Sequence, residues 1–418
     1  MSYFAVEGGN RLNGTATVNG AKNSVLPILA ATLLNAGENI IHNCTELKDV
    51  ESAIKILKHL GCKIKREGKT VIVDSSTIGR YDVPEDLMRE MRSSVIFLGP
   101  IIARCGKAQL SAPGGCELGP RPIDLHLDAL SKLGVEIKVR GGEILCIADK
   151  MKGRDIVLGF PSVGATENIM LAATACSGTT RIINAAREPE IVDLQKFLQK
   201  IGANVNGAGE SKIAVSAGSR RNCVEHIVMP DRIEAATYLC AVAACGGDVK
   251  LENAYPEHID TVISNLRDAG CDIKNYGNNV RITCNGSLLS MPPIQTMPYP
   301  GFPTDAQSPL MAAACLAKGT TVFKENIFEN RFRHTAELAR MGAKIKVSGR
   351  TAVVEGVDSL TGAYVRCTDL RGGAALVIAA LAAKGQSRID DIFHIDRGYE
   401  KIECAYSKLG GCINRKEQ

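Results

Sequence analysis

The sequence lacks several features that would place it in a common functional class. It has no tryptophan, and aromatic residues are 4% of its 418 residues, which argues against stacking platforms for single-stranded nucleic acid. Its fifteen cysteines include no C-x-x-C pair, so we expect reduced thiols and neither a disulfide framework nor a zinc site. No G-x-x-x-x-G-K-[ST], H-E-x-x-H or G-x-S-x-G motif occurs. These absences favour a protein that uses no metal and no cofactor.

The composition that is present is that of an ordinary soluble globular protein. Hydrophobic residues make up 45%, charged residues 23%, and the net charge of +5 is too small to indicate nucleic-acid binding by itself. The N-terminus has no charged segment before an apolar run, and apolar runs such as 26–34 are far short of a membrane span. We therefore expect a cytoplasmic monomer that binds small molecules, without nucleic-acid or membrane partners.

One pattern recurs six times along the chain: the end of a helix, a glycine and a charged strand, as in L-K-H-L-G-C-K-I-K. An alanine-rich helix, apolar almost all round and therefore buried, precedes each of these more polar outer helices. The predicted unit is strand, helix, strand, helix, strand, strand. The six glycines that close the outer helices as C-caps recur every 68 to 73 residues: Gly61, Gly134, Gly202, Gly270, Gly342 and Gly410.

The spacing of these units predicts the domain organisation. Residues 21–230 hold three units, and residues 231–418 hold three more but are too short by the length of two strands. Residues 1–20 read as two strands, which we expect to complete the sixth unit.

The fold class is therefore α/β (α+β), with two pseudo-symmetric domains of three βαβαββ repeats around buried helices, like an α/β barrel turned inside out. One domain is discontinuous (1–20 plus 231–418) and the other is inserted (21–230). Chain crossings near Gly20 and Pro230 would form a hinge, and the cleft between the domains is the expected ligand site. The alternative is a solenoid of six stacked units, although solenoid repeats usually have 20 to 45 residues.

Equal positions in the six repeats carry an unusual number of cations. Arginine at the start of a buried helix is unfavourable beside the positive end of the helix dipole, which suggests a nearby anion that satisfies both. The alternative is that these arginines pair with carboxylates on a solvated surface. The position at the start of the buried helix holds Asn23 (beside Lys22), Arg92, Gly164, Arg232, Asp305 and Arg371.

The equivalent position before each outer helix is also basic in three repeats. It holds Lys48, Arg121, Pro189, Glu257, Glu329 and Arg397. Asp305 is the only carboxylate in the first set, and an acid among cations stays ionised at neutral pH, so it is the candidate base. If the helix starts of each domain face the cleft, the cleft is strongly electropositive.

A Gly/Pro-rich loop, Q-L-S-A-P-G-G-C-E-L-G-P-R-P-I-D-L-H at 109–126, places Cys116 before an amphipathic helix. The alternative is a tight turn that carries an incidental thiol. With many cations, one carboxylate and one loop thiol, the substrate should carry several negative charges, such as phosphates and a carboxylate.

With these residues in place, the chain resembles the UDP-N-acetylglucosamine 1-carboxyvinyltransferases, the enolpyruvyl transferases of peptidoglycan synthesis. The matching stretches run in order along nearly the whole chain and include N-G-A-K-N-S-V-L-P, P-G-G-C-E-L-G-P-R-P, P-S-V-G-A-T-E-N, P-G-F-P-T-D, F-E-N-R-F and H-I-D-R-G-Y-E-K-I. The resemblance implies two domains of three repeats around a cleft. It also implies transfer of the enolpyruvyl group of phosphoenolpyruvate to the 3′-hydroxyl of UDP-N-acetylglucosamine, with release of phosphate.

The resemblance also implies residue roles. Cys116 would donate a proton to C3 of phosphoenolpyruvate and could form an adduct with it, while Asp305 would act as the base. Phosphoenolpyruvate would be bound by Lys22, Asn23, Arg121 and Arg397. UDP-N-acetylglucosamine would be bound by Asn23, Arg92, Arg121, Pro122, Ile123, Asp124, Leu125, Ser162, Val163, Gly164, Asp305 and Ile327. Lys48, Arg232, Glu329 and Arg371 would line the cleft. Some members of the family have lysine where Phe160 stands here, so a diphosphate contact from that position is not expected.

Two other functions remain open. A 5-enolpyruvylshikimate-3-phosphate synthase would share the repeats but would lack a catalytic loop cysteine and carry an Asn/Gly/Thr-rich phosphate loop, which does not occur here. A non-catalytic repeat scaffold would need neither convergent cations nor a lone Asp305. Because binding energy can drive closure around a charged substrate, we expect the nucleotide sugar to bind first and to bring the Cys116 loop over the site.

Overall fold

The computed structural model describes residues 2–91, 93–111, 123–219 and 223–417. The chain forms two compact units: the inserted domain contains the described residues from 20 to 229, and the discontinuous domain contains 2–19 and 230–417. Each unit has its own hydrophobic core, so the chain is not the solenoid of six stacked units that the sequence left open. None of the helices within these ranges is long and apolar enough to cross a membrane.

The regular elements follow the predicted order of strands and helices in each repeat. Two strands come first, β1 (Ser2–Glu7) and β2 (Leu12–Thr17). The inserted domain follows with α1 (Lys22–Ala31), β3 (Glu38–His42), α2 (Lys48–Leu60), β4 (Lys63–Glu67), β5 (Thr70–Asp74), β6 (Asp82–Val83), α3 (Glu85–Glu90), α4 (Leu98–Cys105), β7 (Lys107–Ser111), α5 (Asp124–Lys132), β8 (Glu136–Arg140), β9 (Glu143–Ile147), β10 (Asp155–Val157), α6 (Val163–Ala173), β11 (Thr179–Ile183), α7 (Pro189–Lys200), β12 (Asn204–Asn206), β13 (Lys212–Ser216) and β14 (Cys223–Ile227).

The discontinuous domain then continues to the end of the chain. Its elements are α8 (Arg232–Cys245), β15 (Gly247–Glu252), α9 (Asp260–Asp268), β16 (Asp272–Tyr276), β17 (Asn279–Cys284), β18 (Leu288–Leu289), β19 (Ile294–Gln295), α10 (Thr304–Ala314), β20 (Ala317–Lys318), β21 (Thr320–Lys324), α11 (Thr335–Arg340), β22 (Lys344–Ser348), β23 (Thr351–Glu355), β24 (Tyr364–Arg366), α12 (Leu370–Ala382), β25 (Gln386–Asp390), α13 (Ile402–Lys408) and β26 (Cys412–Glu417). Short 3₁₀ segments lie at Thr32–Leu34, Ser94–Phe97, Pro256–His258, Arg331–His334 and Ile392–Arg397.

Each repeat builds one four-stranded sheet with the same topology. The strands lie in the order first, second, fourth, third, as in β10-β11-β13-β12. The first two strands are parallel, and the other neighbours are antiparallel. A parallel pair needs a crossover connection, and the buried helix supplies it. A further two-stranded sheet joins β18 and β20.

The two N-terminal strands do not both complete the sixth repeat, so that part of the prediction was wrong. β1 does so, because it pairs with β25 and β26. β2 instead pairs in parallel with β15 and forms the first strand of the fourth repeat. In the same way β14, at the end of the inserted domain, pairs with β3 and forms the first strand of the first repeat. The chain therefore passes between domains after the first strand of a βαβ unit, once after β2 and once after β14.

The alanine-rich helices form the centre of each core, as their patterns predicted. Every residue of α8 except the last is buried, and α8, α10 and α12 pack against one another. The outer helices bury one face only; for example, α2 buries Val50, Ile54 and Leu57. All six predicted C-cap glycines have positive φ, as at Gly61 where φ is 105°. These features give an inside-out α/β architecture, with helices at the centre and sheets around them.

Candidate active site

The start of α1 carries two of the predicted binding residues of the inserted domain. Lys22 is the first residue of this helix and Asn23 the second. The Lys22 ammonium lies 2.7 Å from a carboxylate oxygen of Asp49, and both side chains are buried. Because α1 and α2 pack together, Asp49, in the first turn of α2, meets the first turn of α1. Lys48, the first residue of α2, is exposed.

The predicted nucleotide-sugar residues of this domain cluster at the starts of α5 and α6. Ile123 precedes α5, and Asp124 and Leu125 begin it. Ser162 caps α6 by accepting a 3.4 Å hydrogen bond from the Ala165 amide. Val163 and Gly164 are the first two residues of that helix, so Gly164 lies at the predicted position.

Gly164 is in close contact with His126 of α5. A Cβ at Gly164 would lie 3.1 Å from Cε1 of the imidazole, so glycine leaves room for the ring. Asn168 donates a 2.8 Å hydrogen bond to Nδ1 of His126, which places the imidazole proton on Nε2. Burial lowers the pKa of His126 to about 4, so the ring is neutral at pH 7.

In the discontinuous domain, three packed helices begin with predicted site residues. Arg232 starts α8, Asp305 is second in α10, and Arg371 is second in α12. Asp305 accepts hydrogen bonds on both of its oxygens. One oxygen lies 2.9 Å from Nη2 of Arg331, and the other lies 2.9 Å from Nη2 and 3.2 Å from Nε of Arg371. Two nearly buried guanidinium groups thus hold a carboxylate that is 27% exposed, which favours its ionised form.

Aromatic rings flank the arginines of this cluster. The Arg371 guanidinium lies 5.2 Å from the ring centre of Tyr399, whose hydroxyl is 2.9 Å from that of Thr237. Burial lowers the pKa of Arg371, but Tyr399 and Asp305 raise it, and the net pKa lies above its ordinary value. The Arg232 guanidinium lies 5.6 Å from the Tyr299 ring centre.

The other predicted residues of this domain lie close to the same helices in sequence but have different surroundings. The Ile327 amide donates a 2.7 Å hydrogen bond to Glu325, a buried carboxylate. Glu329 is exposed, 3.8 Å from Arg350. Arg397 does not directly precede a helix as predicted, because it ends the 3₁₀ segment Ile392–Arg397 and α13 begins five residues later.

Four predicted residues lie outside the described residues: Arg92, Cys116, Arg121 and Pro122. The helix predicted to follow the Cys116 loop is present as α5. Sequence reasoning missed Asp49 and Arg331, which bind Lys22 and Asp305. Arg331 lies within the F-E-N-R-F stretch, whereas nothing in the pattern of α2 distinguishes Asp49.

Comparisons with known proteins agree with this architecture. Residues 6–405 match the family model described as EPSP synthase (3-phosphoshikimate 1-carboxyvinyltransferase). UDP-N-acetylglucosamine 1-carboxyvinyltransferase 2 of Caldanaerobacter subterraneus subsp. tengcongensis is 50% identical, over 99% of this chain and 100% of its own length. UDP-N-acetylglucosamine 1-carboxyvinyltransferase 1 of Symbiobacterium thermophilum is also 50% identical, over 99% of this chain and 95% of its own.

Solved structures of low sequence identity share the fold. The enolpyruvyl transferase NikO from Streptomyces tendae superposes with a TM-score of 0.89 at 24% identity, over 99% of each chain. EPSP synthase from Acinetobacter baumannii superposes with a TM-score of 0.74 at 18% identity, over the full length of both chains. Together with the full-length relatives, these matches show that the chain belongs to the enolpyruvyl transferase family and, within it, to the UDP-N-acetylglucosamine 1-carboxyvinyltransferases.

Proposed function

We propose that this protein transfers the enolpyruvyl group of phosphoenolpyruvate to the 3′-hydroxyl of UDP-N-acetylglucosamine, with Cys116 as proton donor and Asp305 as base. This is the first committed step of peptidoglycan precursor synthesis, and it releases phosphate. The observation that carries the proposal is the 50% identity, over almost the full length, to transferases named for this reaction. The cluster around Asp305 supplies a carboxylate with the chemistry that the reaction needs.

The reaction proceeds by an addition and an elimination. The Cys116 thiol gives its proton to C3 of phosphoenolpyruvate, which makes C2 electrophilic. A thiol with a pKa of about 8.5 is mostly protonated at pH 7 and can donate. The sugar hydroxyl adds to C2 and passes its proton to Asp305. Phosphate then leaves C2, and the Cys116 thiolate takes a proton back from C3, which gives the enol ether. Asp305 passes the hydroxyl proton to the departing phosphate, so that atoms and charge balance and both residues return to their starting state.

Cations would position the two anionic groups of phosphoenolpyruvate. Lys22, Arg121 and Arg397 would bind its phosphate and carboxylate, and Asn23 would lie where the two substrates meet. The start of α1 adds backbone N–H groups and the positive end of a helix dipole. Fixed charges of this kind stabilise charge that develops in the transition state without reorganisation.

The nucleotide sugar would be bound mainly by helix starts in both domains. Its proposed contacts are Asn23, Arg92, Arg121, Pro122, Ile123, Asp124, Leu125, Ser162, Val163, Gly164, Asp305 and Ile327. Lys48, Arg232, Glu329 and Arg371 would line the cleft around the two substrates. The start of α5 has no side-chain cap, and its backbone amides are suitable donors for a nucleotide diphosphate.

Phosphate release tests the proposed reaction directly. The full chain is incubated with phosphoenolpyruvate and either UDP-N-acetylglucosamine or shikimate 3-phosphate. We expect release with the nucleotide sugar alone. Release with shikimate 3-phosphate would instead favour the synthase of that substrate, and no release with either would favour a scaffold.

Two further measurements test the remaining parts of the proposal. Light scattering after gel filtration should give a mass near 44.6 kDa, that of a monomer. Twice that mass would contradict the expectation that the protein is a monomer. Small-angle scattering should show a smaller radius of gyration with the nucleotide sugar, and an unchanged value would count against domain closure. We expect the reaction to occur in the cytoplasm.

A further inference from the structure

The start of α1 has no cap of its own, although it carries two proposed substrate-binding residues. The residue before the helix is Ala21, which makes no side-chain capping hydrogen bond, and alanine is a poor N-cap. Lys22 then places a positive charge at the positive end of the helix dipole. Since both features oppose an ordered helix start, other groups must hold it in place.

A buried carboxylate on α7 contacts this helix start. One oxygen of Asp193 accepts a 2.6 Å hydrogen bond from the Ser24 hydroxyl and a 3.0 Å hydrogen bond from the Met229 amide. Its other oxygen accepts a 3.0 Å hydrogen bond from Nε2 of His226 on β14. Ala21, directly before α1, donates a 2.8 Å hydrogen bond to the Met229 carbonyl. Asp193 thus joins the first turn of α1 to β14 and to the segment that follows it.

The three donors compensate the cost of burying this charge. The Asp193 side chain is 6% exposed, and burial alone raises its pKa. The hydrogen bonds from His226, Ser24 and Met229 outweigh burial, and the net pKa lies below the ordinary value. An ionised carboxylate only accepts hydrogen bonds, and every partner that contacts it here is a donor.

We propose that Asp193 is a positioning residue for the transferase reaction: by fixing Ser24 and Met229, it sets the direction in which Lys22 and Asn23 leave the start of α1. This inference rests on the proposed function, which assigns substrate contacts to Lys22 and Asn23. In this proposal Asp193 does not contact the substrates itself. It acts through Ser24, in the same turn of α1 as the two binding residues.

The arrangement also explains why a costly buried charge is used. A neutral residue at this position could fill the space, but it could not accept hydrogen bonds from three different segments. Asp49 complements it from α2 by binding the Lys22 ammonium itself at 2.7 Å. Two buried carboxylates on two outer helices therefore define the backbone position and the side-chain direction at one helix start.

Asp193→Asn tests the inference at nearly constant volume. The amide presents N–H groups where the carboxylate accepted hydrogen bonds, so the start of α1 should shift. At saturating nucleotide sugar, we expect the KM for phosphoenolpyruvate to rise on the order of tenfold to a hundredfold. The folded fraction is measured by calorimetry on the same sample. A purely structural role would lower that fraction and leave the KM of the folded enzyme unchanged.

Ser24→Ala is the second variant, and it keeps the experiment informative if Asp193→Asn does not fold. It removes only one hydroxyl, and the KM should rise in the same direction. If Asp193 acts through Ser24, the double variant should have a KM close to that of Asp193→Asn instead of the product of both effects. Two independent, multiplying effects would overturn the inference, and so would wild-type KM values in both single variants.

A matched control separates this outcome from failure of the proposed function. Asp155→Asn removes an exposed carboxylate, 3.3 Å from Arg181, in the same domain and should keep the wild-type KM. If the wild type and this control release phosphate while the Asp193 and Ser24 variants keep the wild-type KM, only the positioning role fails. If the wild type releases no phosphate with the nucleotide sugar, the proposed function fails.

Discussion

Replacing Asp305 by asparagine separates its proposed role as a base from its role in the arginine cluster. The carboxylate accepts three guanidinium hydrogen bonds of 2.9 to 3.2 Å from Arg331 and Arg371. Asparagine keeps one acceptor oxygen but turns an N–H₂ group toward the other arginine. A hydrogen bond to a charged group is worth about 1.5 to 3 kcal/mol. Removing one partner of a buried pair costs about 3 to 5 kcal/mol.

Two features of the cluster indicate that Asp305→Asn loses an amount of unfolding free energy near the lower end of these values. Asp305 is 27% exposed, so water can solvate part of the site. The Thr304 carbonyl also accepts from Nη2 of Arg331 at 2.8 Å, and it remains in the variant. We therefore expect the free energy of unfolding to fall by about 2 kcal/mol. For a domain of this size, that loss lowers the melting temperature by roughly 4 to 8 °C.

The catalytic effect should be larger than the loss of stability. General base catalysis contributes roughly 10²- to 10⁴-fold, so kcat for phosphate release should fall by about that factor at 25 °C. Calorimetry on the same sample shows that the variant is folded at the assay temperature. Asp155→Asn is the control: its exposed ion pair should be worth less than about 1 kcal/mol, and kcat should not change.

Either measurement can refute the reasoning. A kcat within threefold of the wild type would show that Asp305 does not take the hydroxyl proton. An unchanged melting temperature would show that the arginine cluster contributes nothing to stability. Loss of both activity and the calorimetric transition would instead mean that Asp305 is needed for folding.

Three further predictions concern other parts of the chain. Cys116→Ser should lower turnover more than about 100-fold, because a hydroxyl is a much weaker acid than a thiol, while calorimetry should still show binding of the nucleotide sugar. Retained turnover in this variant would rule out the donor role. Cys116→Asp should keep some turnover but should resist alkylation by the epoxide fosfomycin. Burial lowers the pKa values of His126 and His334 from 6.5 to about 4, so between pH 6.5 and 4 the unfolded chain binds protons that the folded chain does not. The free energy of unfolding should therefore fall by about 3 kcal/mol per histidine as pH drops through that window, and a flat urea-unfolding profile there would contradict both shifts. Gly61→Ala should lower the free energy of unfolding by about 1 kcal/mol or more in chemical denaturation, because φ is 105° and a Cβ would lie 2.8 Å from the Thr77 carbonyl; an unchanged denaturation midpoint would contradict this strain.

Features that depend on nearby residues could be predicted from the sequence. The six repeats, their buried helices and their C-cap glycines follow from apolar patterns and φ preferences within a few residues. The starts of α1, α6, α8, α10 and α12 fall within one residue of the predicted positions for the same reason. The prediction of where the outer helices start was less accurate in the discontinuous domain. There, 3₁₀ segments lie at or near them, and the sequence pattern does not distinguish these segments from α-helix.

The sequence by itself thus determined the repeat, the helix ends and the residue types at each helix start, because local backbone preferences and apolar periodicity act over one or two turns. Only the tertiary structure decided that β2 opens the fourth repeat, that Arg331 and Arg371 bind Asp305, and that Asp193 holds Ser24. Asp305 and Arg371 are 66 residues apart, and Ser24 and Asp193 are 169 apart. Contacts at such separations depend on how whole elements pack, and no short segment of sequence encodes them.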